Sequence, residues 1–409
     1  MHILIICQYF YPESFRINDI ASEWIKHGHK VSVVTGIPNY PEGRFFKGYG
    51  IFKKRKEILN GISIYRLPII PRGQSKIGII LNYLSFMMSG LVWANTTRMK
   101  SDVVFSFETS PMTQVLVGTR YAKRTHTRHI LYIQDLWPEN VEEVGGIHSP
   151  VIIHPLDCMV KYIYRNADLI LATSPSFVEM IRKRMEDDDR IKGKTVFDKI
   201  AYWPQYAEKT YKPIEKSSRR DNIFRIVFTG NIGYAQGLEI LPECAAILKE
   251  KGLDDRFRFV IVGDGRAKDS FLRSIISYNV SDMFEMRGRK KTEEIPVITS
   301  ECNIAFLSFA DNDLFSATIP AKLQSYLACA IPIVAAASGE TKRIIEEAKC
   351  GICTRPGDAE ALVESIIKMS EKSNAEIDEM SLNALAYSKT HFDQNILMEE
   401  MESFLTAVE

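Results

Sequence analysis

The chain has 409 residues, 45% hydrophobic and 25% charged, with a formal net charge of +1. This composition is that of a soluble globular protein and excludes a disordered or fibrous chain, and the length exceeds what one hydrophobic core usually supports, so two domains are expected. The near-neutral total hides an asymmetry: residues 1–205 carry 27 Lys and Arg against 19 Asp and Glu, and the remainder carry 25 against 32, which directs the first half towards an anionic surface or substrate.

The opening MHILIICQYF lacks the charged region and cleavage site of a signal peptide and reads as a strand. Further apolar runs bounded by turn residues follow near 30–35, 62–66, 102–107, 129–134, 168–173 and 199–203, with helical stretches between most of them. That alternation predicts a parallel α/β sheet. Within this half, Arg44 to Lys76 holds nine basic residues, including KKRK at 53–56, and one acid, Glu57. The next 18 residues, Ile77 to Ala94, carry no charge. They reach the lower edge of a membrane span, but Asn82, Ser85, Ser89 and two glycines favour a core helix with one membrane-facing edge. A basic surface beside an apolar helix suits an anionic leaflet. Nucleic acid is not expected, because no recognition fold accompanies the basic run.

Between Asp198 and Asn222 the pattern lapses into Pro204, Pro213 and the polar run KSSRRDN, which reads as a linker. A second series then begins with FRIVFTG, RFVIVG, MFEMRG, NIAFLSF, PIVAA and GICT as strands, and the segment from about Asp358 to Glu409 is helical. Two successive doubly wound domains place a ligand crevice at the carboxyl ends of their strands. Seven cysteines at irregular spacing are no disulfide framework and suit a reducing compartment. Cys350 and Cys353 form an isolated C-x-x-C that reads as small buried residues rather than as a metal or redox pair.

Three strand ends in the second series are suited to a phosphate ligand. FTGNIGYAQG brings Gly230, Gly233 and Gly237 to a strand-to-helix turn, and IVGDGR puts Gly263 and Gly265 at the next strand tip. The spacing is not that of a P-loop. SATIPAKLQSYLACAIPIVAA then enters a helix at Ile319-Pro320 with Lys322 beside the first free amides. A helix start with unpaired N–H groups and an adjacent cation attracts phosphate oxygens. In the first half, Asp135 directly follows a strand and could accept hydroxyl hydrogen bonds or a proton; Glu139 is a second such carboxylate. Glu108 is a third, although Thr109 and Ser110 after it suggest helix capping. Arg16 and Asn18, at the start of the first helix, could meet an acceptor phosphate.

QYFYPE at 8–13, QDLWPE at 134–139, FTGNIGYAQG at 228–237, VGDG at 262–265 and TIPAKLQSYLACAIP at 318–332 together carry a resemblance over nearly the whole chain. The sequence resembles GT-B glycosyltransferases of family 4, close to the bacterial fucosamine or N-acetylhexosamine transferases of O-antigen and capsule synthesis. The resemblance implies two Rossmann-like doubly wound domains facing across a cleft. Residues 1–205, joined by the C-terminal helix 390–409, would bind the acceptor, and 206–389 the nucleotide sugar. It further implies metal-independent, retaining transfer of an N-acetylated amino sugar from UDP to a lipid-diphosphate-linked saccharide. The enzyme would work without a cofactor, peripherally on the cytoplasmic face of the membrane. Asp135 and Glu139 take the catalytic positions, and Gly230, Asn231, Gly233, Gln236, Gly263, Gly265, Ile319, Pro320, Lys322 and Ser325 the donor positions. Arg16 and Asn18 take those of the acceptor.

The sequence departs from the wider family at its Glu-x7-Glu pattern, where it has Ala317 and Ser325, and at the usual Arg and Lys after the first strand of the second domain, where it has Asn231 and Gln236. These losses throw the diphosphate onto Lys322 and nearby amides, with Ser325 left to meet the ribose. A nucleotide-sugar epimerase and a non-catalytic donor-binding scaffold are the alternatives on the same architecture.

Overall fold

A computed structural model describes residues 1–188, 190, 197–215 and 222–406. Most of the KSSRRDN run lies outside the described residues. The chain divides into two compact units, Met1–Trp203 with the residues from Glu400 onward, and Pro204–Glu399. The first boundary falls within the proline-bearing stretch read as a linker, and the C-terminal segment joins the first unit from Glu400 rather than from residue 390.

The first unit holds β1 (His2–Ile6), β2 (Lys30–Gly36), β3 (Lys56–Leu59), β4 (Ile62–Leu67), β5 (Val103–Glu108), β6 (Arg128–Ile133), β7 (Leu169–Ala172) and β8 (Ile200–Tyr202). They form one sheet in the order β3-β4-β2-β1-β5-β6-β7-β8. All neighbours are parallel except β3, which runs antiparallel to β4. β3 is not one of the strands expected from the sequence. Its hairpin turns on Asn60-Gly61, both with positive φ (48° and 84°), the residue pair that a tight two-residue turn demands.

The central strands are buried on both faces, as helix-covered parallel sheets require. Phe105 of β5 meets the indole of Trp24 edge-on at 5.0 Å, and Leu4, Ile6, Val34 and Val104 pack with Phe86 and Tyr121. The chain's end is tied back: Glu402 receives His27 Nδ1 at 3.0 Å and His29 Nε2 at 2.7 Å, and Arg128 Nη1 donates to the Phe404 carbonyl at 2.7 Å.

The apolar run expected as a core helix is a helix at Lys76–Thr96, capped by Ser75. Only Asn82, Phe86, Gly90 and Ala94 are buried. Ile77, Ile80, Leu81, Leu84, Met88 and Val92 are exposed and recur at the spacing of one helical stripe. Its exposed apolar edge is therefore wider than its core-facing one.

The second unit holds β9 (Phe224–Asn231), β10 (Phe257–Asp264), β11 (Phe284–Gly288), β12 (Ile304–Ser308), β13 (Ile333–Ala336) and β14 (Gly351–Thr354). Its sheet is parallel throughout, in the order β11-β10-β9-β12-β13-β14. Phe228, Phe259, Ile261, Leu241 and Leu362 are among the fully buried residues of its core. Strand order reverses between β1 and β5 in the first unit and between β9 and β12 in the second. In doubly wound sheets, ligands bind outside the carboxyl ends of strands at such reversals.

Candidate functional site

In the second unit β9, one strand of the reversal, ends in Gly230 and Asn231, and its other neighbour β10 brings Gly263 alongside. Gly263 pairs with Gly230 in the ladder. A Cβ on Gly263, whose φ is +152°, would lie 1.8 Å from the Gly230 carbonyl oxygen, so only glycine lets the two strand ends run this close.

The Ala321–Ala328 helix opens beside them. Pro320 is its extended N-cap (φ −74°, ψ 137°), one position ahead of the first helical turn where the sequence placed it. No side chain caps the helix; the Leu323 N–H turns to the Pro320 carbonyl at 2.9 Å, and the N–H groups of Ala321 and Lys322 have no intrahelical carbonyl within reach. Lys322 folds over β9: its Nζ stands 4.0 Å from the centroid of Phe228 and 3.7 Å from where a Gly230 Cβ would be. The ammonium is buried and has no hydrogen-bond partner among the described residues. Burial alone pushes its pKa down to about 7, because nothing offsets the lost hydration.

Other expected donor groups are already engaged within the protein. The Gly233 N–H donates to Gln236 Oε1 at 3.1 Å, and the Gly265 N–H to Asp264 Oδ1 at 3.0 Å. Ser325 donates its hydroxyl to the Ala321 carbonyl at 3.1 Å, which leaves the oxygen able to accept. Asn231 is exposed, and Ile319 is buried against the loop. Lys322 and the uncapped helix start thus lie beside the Gly230 strand end, while the amides of Gly233 and Gly265 are taken up locally. Behind it, the Thr229 N–H and hydroxyl both contact the buried Tyr326 hydroxyl, at 2.8 and 3.2 Å, and this ties the helix to β9.

In the first unit, Glu108 ends β5 and Asp135 follows β6. Ser110 does not cap a helix: its N–H and hydroxyl both donate to Asp135 Oδ2 at 2.8 Å, and Trp137 Nε1 donates to Ser110 Oγ at 3.1 Å. Both Ser110 bonds fall on the same carboxylate oxygen, which leaves Asp135 Oδ1 open. Burial raises the Asp135 pKa, opposed by the two Ser110 hydrogen bonds. Glu139 is placed differently. It pairs with Arg184 Nη2 at 2.6 Å, and Arg184 also binds Asp157 at 2.9 Å and the Trp137 carbonyl at 3.0 Å. That network pins the loop carrying Asp135 and occupies Glu139.

Arg16 begins the Arg16–Lys26 helix, and its charge is felt at the buried Tyr132 hydroxyl on β6. Asn18 donates to the Glu13 carbonyl at 2.7 Å, a local structural bond. The sequence reading missed Glu13 itself. Its carboxylate accepts the N–H groups of Asn39 and Tyr40 at 2.8 and 2.6 Å, and burial pushes its pKa up to about 7. It also missed Asn82, which joins Gln8 at 2.7 Å and the Ile70 carbonyl at 2.6 Å beneath the same sheet edge. A polar residue inside an otherwise apolar helix was the available signal for Asn82. Cys350 and Cys353 are unpaired, with burial raising their pKa values to about 12 and about 11, and no metal-binding cluster occurs among the described residues.

Comparison with known proteins finds its family match in the second unit. Residues 211–385 match the family model for glycosyl transferases group 1. The chain is 25% identical over 390 residues, 90% of its length and 91% of the relative's, to WcaI of Escherichia coli (strain K12), named as a colanic acid biosynthesis glycosyl transferase. With WcaL of the same organism, named as a colanic acid biosynthesis glycosyltransferase, it shares 24% over 253 residues, 61% of this chain but only 59% of WcaL. Among solved structures, sucrose-phosphate synthase from Thermosynechococcus elongatus superposes with a TM-score of 0.76 at 14% identity over 98% of both chains. Anabaena HepE, solved with UDP and glucose, gives 0.69 at 15% over 100% of both. The fold is GT-B, with two Rossmann-like domains.

Proposed function

We propose that this protein is a glycosyltransferase of bacterial surface-polysaccharide synthesis that uses UDP-N-acetylhexosamine as donor and a lipid-diphosphate-linked saccharide as acceptor. One observation carries the reading: a buried lysine without a counter-charge, set beside two glycine strand ends and an uncapped helix start at the sheet's reversal point. Leaving an ammonium buried and unpaired is costly, and a diphosphate would supply the missing partner. The group 1 domain, the polysaccharide names of WcaI and WcaL, and the UDP bound in HepE support the same reading.

In this reaction the bond from the sugar's anomeric carbon to the β-phosphate oxygen breaks, and UDP leaves with the electron pair. Lys322 and the first-turn amides stabilise the charge that develops on that oxygen. The acceptor hydroxyl oxygen bonds to the anomeric carbon on the same face from which the phosphate departs, so that configuration is kept, and its proton passes to Asp135 Oδ1. Transfer is retaining and requires no metal. Ser325 is the group available to the ribose.

The exposed stripe of the Lys76–Thr96 helix lies in sequence beside the basic segment of Lys53, Lys54, Arg55 and Lys56. We place the protein peripherally on the inner leaflet of the cytoplasmic membrane, where its lipid-linked acceptor resides. Thermal shifts with UDP, GDP and their N-acetylhexosamine conjugates select the donor. Radiolabelled transfer from that donor to a prenyl-diphosphate saccharide, with EDTA present and the anomeric product read by NMR, tests the reaction. Binding of UDP without transfer to any acceptor would refute it, and turnover without acceptor would identify an epimerase.

A further inference from the structure

Glu108 has no role in the chemistry described so far, yet its placement is unusual. It is completely buried at the end of β5, Oε2 accepts the main-chain N–H of Asp135 at 3.2 Å, and Oε1 has no partner among the described residues. Its own carbonyl accepts the Gln134 N–H at 2.8 Å. Both bonds hold the short segment that presents Asp135. The two carboxyl groups occupy contrasting surroundings. Asp135 is partly exposed, with Oδ2 held by Ser110 and Oδ1 open. Glu108 is shut away from water, and no described cation pairs with it.

We propose that Glu108 is a positioning residue for Asp135: kept as a neutral acid, it holds the Asp135 backbone while leaving Asp135 the one charged carboxylate of the pair. This rests on the sugar-transfer reading, in which Asp135 Oδ1 receives the acceptor hydroxyl's proton. Burial and the neighbouring Asp135 both raise the Glu108 pKa well above the usual carboxylate range, which agrees with the geometry. Two neighbouring carboxyls with unequal environments separate into an acid and a base. The other described groups facing Glu108 add no free cation. From the Pro150–Arg165 helix comes Tyr164, whose buried hydroxyl is also influenced by Arg184 and Glu139. Arg184 is itself neutralised by Glu139 and Asp157.

In this arrangement, ionising Glu108 at alkaline pH sets a second, repelling negative charge beside Asp135, so the rate falls on the alkaline side. The pH profile of kcat/KM is measured for wild type, Glu108→Gln and Ser110→Ala. Glu108→Gln should lower kcat several-fold with KM for the donor unchanged and should abolish the alkaline limb. Ser110→Ala, which removes one hydrogen bond to the carboxylate, should move the acid limb to higher pH. An alkaline limb unchanged in Glu108→Gln overturns the proposal.

A measurement independent of turnover separates this idea from the sugar-transfer reading. The infrared difference between wild type and Glu108→Gln, which cancels the half-protonated Glu13, should show at neutral pH a protonated-carboxyl band of wild type that persists in Asp135→Asn. If the band is present but no donor is turned over, the assignment of Glu108 as a neutral acid stands and the reaction is wrong. If the band is absent from wild type, the proposal fails even in an active enzyme.

Discussion

Replacing Lys322 by Met should make the free protein more stable and blind to UDP. The ammonium's pKa falls from 10.5 to about 7 on folding. Holding it folded at pH 7 therefore costs ~4 kcal/mol, since each tenfold loss of proton affinity is worth about 1.4 kcal/mol. Met fills a similar volume without a charge to desolvate. Losing the contact with Phe228, 4.0 Å away, forfeits about 0.5–2 kcal/mol of cation–π attraction. The net gain is ~2–4 kcal/mol, or roughly 5–15 °C in the melting temperature of a domain this size.

The sign also fixes a pH signature. Between about pH 7 and 10.5 the folded lysine holds fewer protons than the unfolded one, so wild-type stability climbs across that window. The Met variant's advantage should fall to about half by ~pH 9. Calorimetry of both proteins with and without saturating UDP, at neutral and alkaline pH, provides the assay. A less stable Met variant at pH 7, or a UDP-induced rise in Tm equal to that of wild type, would refute the reasoning.

Three further outcomes follow from substitutions elsewhere. His129 is buried, hydrogen-bonded to Ser106 at 2.8 Å, and its pKa is lowered to about 4 by burial; against an unfolded value near 6.5, wild type should lose ~2 kcal/mol between neutral pH and ~pH 5, a slope absent from urea titrations of His129→Gln. Gly263→Ala forces a Cβ to 1.8 Å from the Gly230 carbonyl oxygen and should cost ~3 kcal/mol of stability, together with the UDP-induced thermal shift. Leu84→Glu with Met88→Glu changes only exposed positions and should abolish sedimentation with phosphatidylglycerol vesicles while leaving circular dichroism unchanged; retained vesicle binding would remove this helix from the membrane contact.

The sheets were readable because burial on both faces writes each central strand as an unbroken apolar run: LILA in β7 or FLS in β12 leaves little choice. β3 was not, because KEIL lies at the sheet's edge with a mixed burial pattern and periodicity carries little signal there. The Asn60-Gly61 pair beside it was the stronger clue. The Lys76–Thr96 helix shows the opposite failure. Its hydropathy suggests burial, whereas the positions that meet the core are the small or polar Gly90, Ala94 and Asn82 together with Phe86.

At the donor side, chemistry-bearing residue types were legible but their availability was not. Gly233 and Gly265 look like phosphate-cradling glycines in sequence, and their amides instead close local turns on Gln236 and Asp264. Such bonds depend on side-chain rotamers that no spacing specifies. Lys322 went the other way: read from the sequence as a cation beside a helix start, it lies over Phe228 with its charge uncompensated. The loss of the family's usual cations at Asn231 and Gln236 therefore need not weaken a diphosphate's hold. A buried ammonium gains more from an arriving anion than an exposed one, because water no longer screens the attraction. One desolvated lysine at the strand reversal can stand in for two solvated cations, at the expense of stability in the empty protein, and the Met substitution measures that exchange directly.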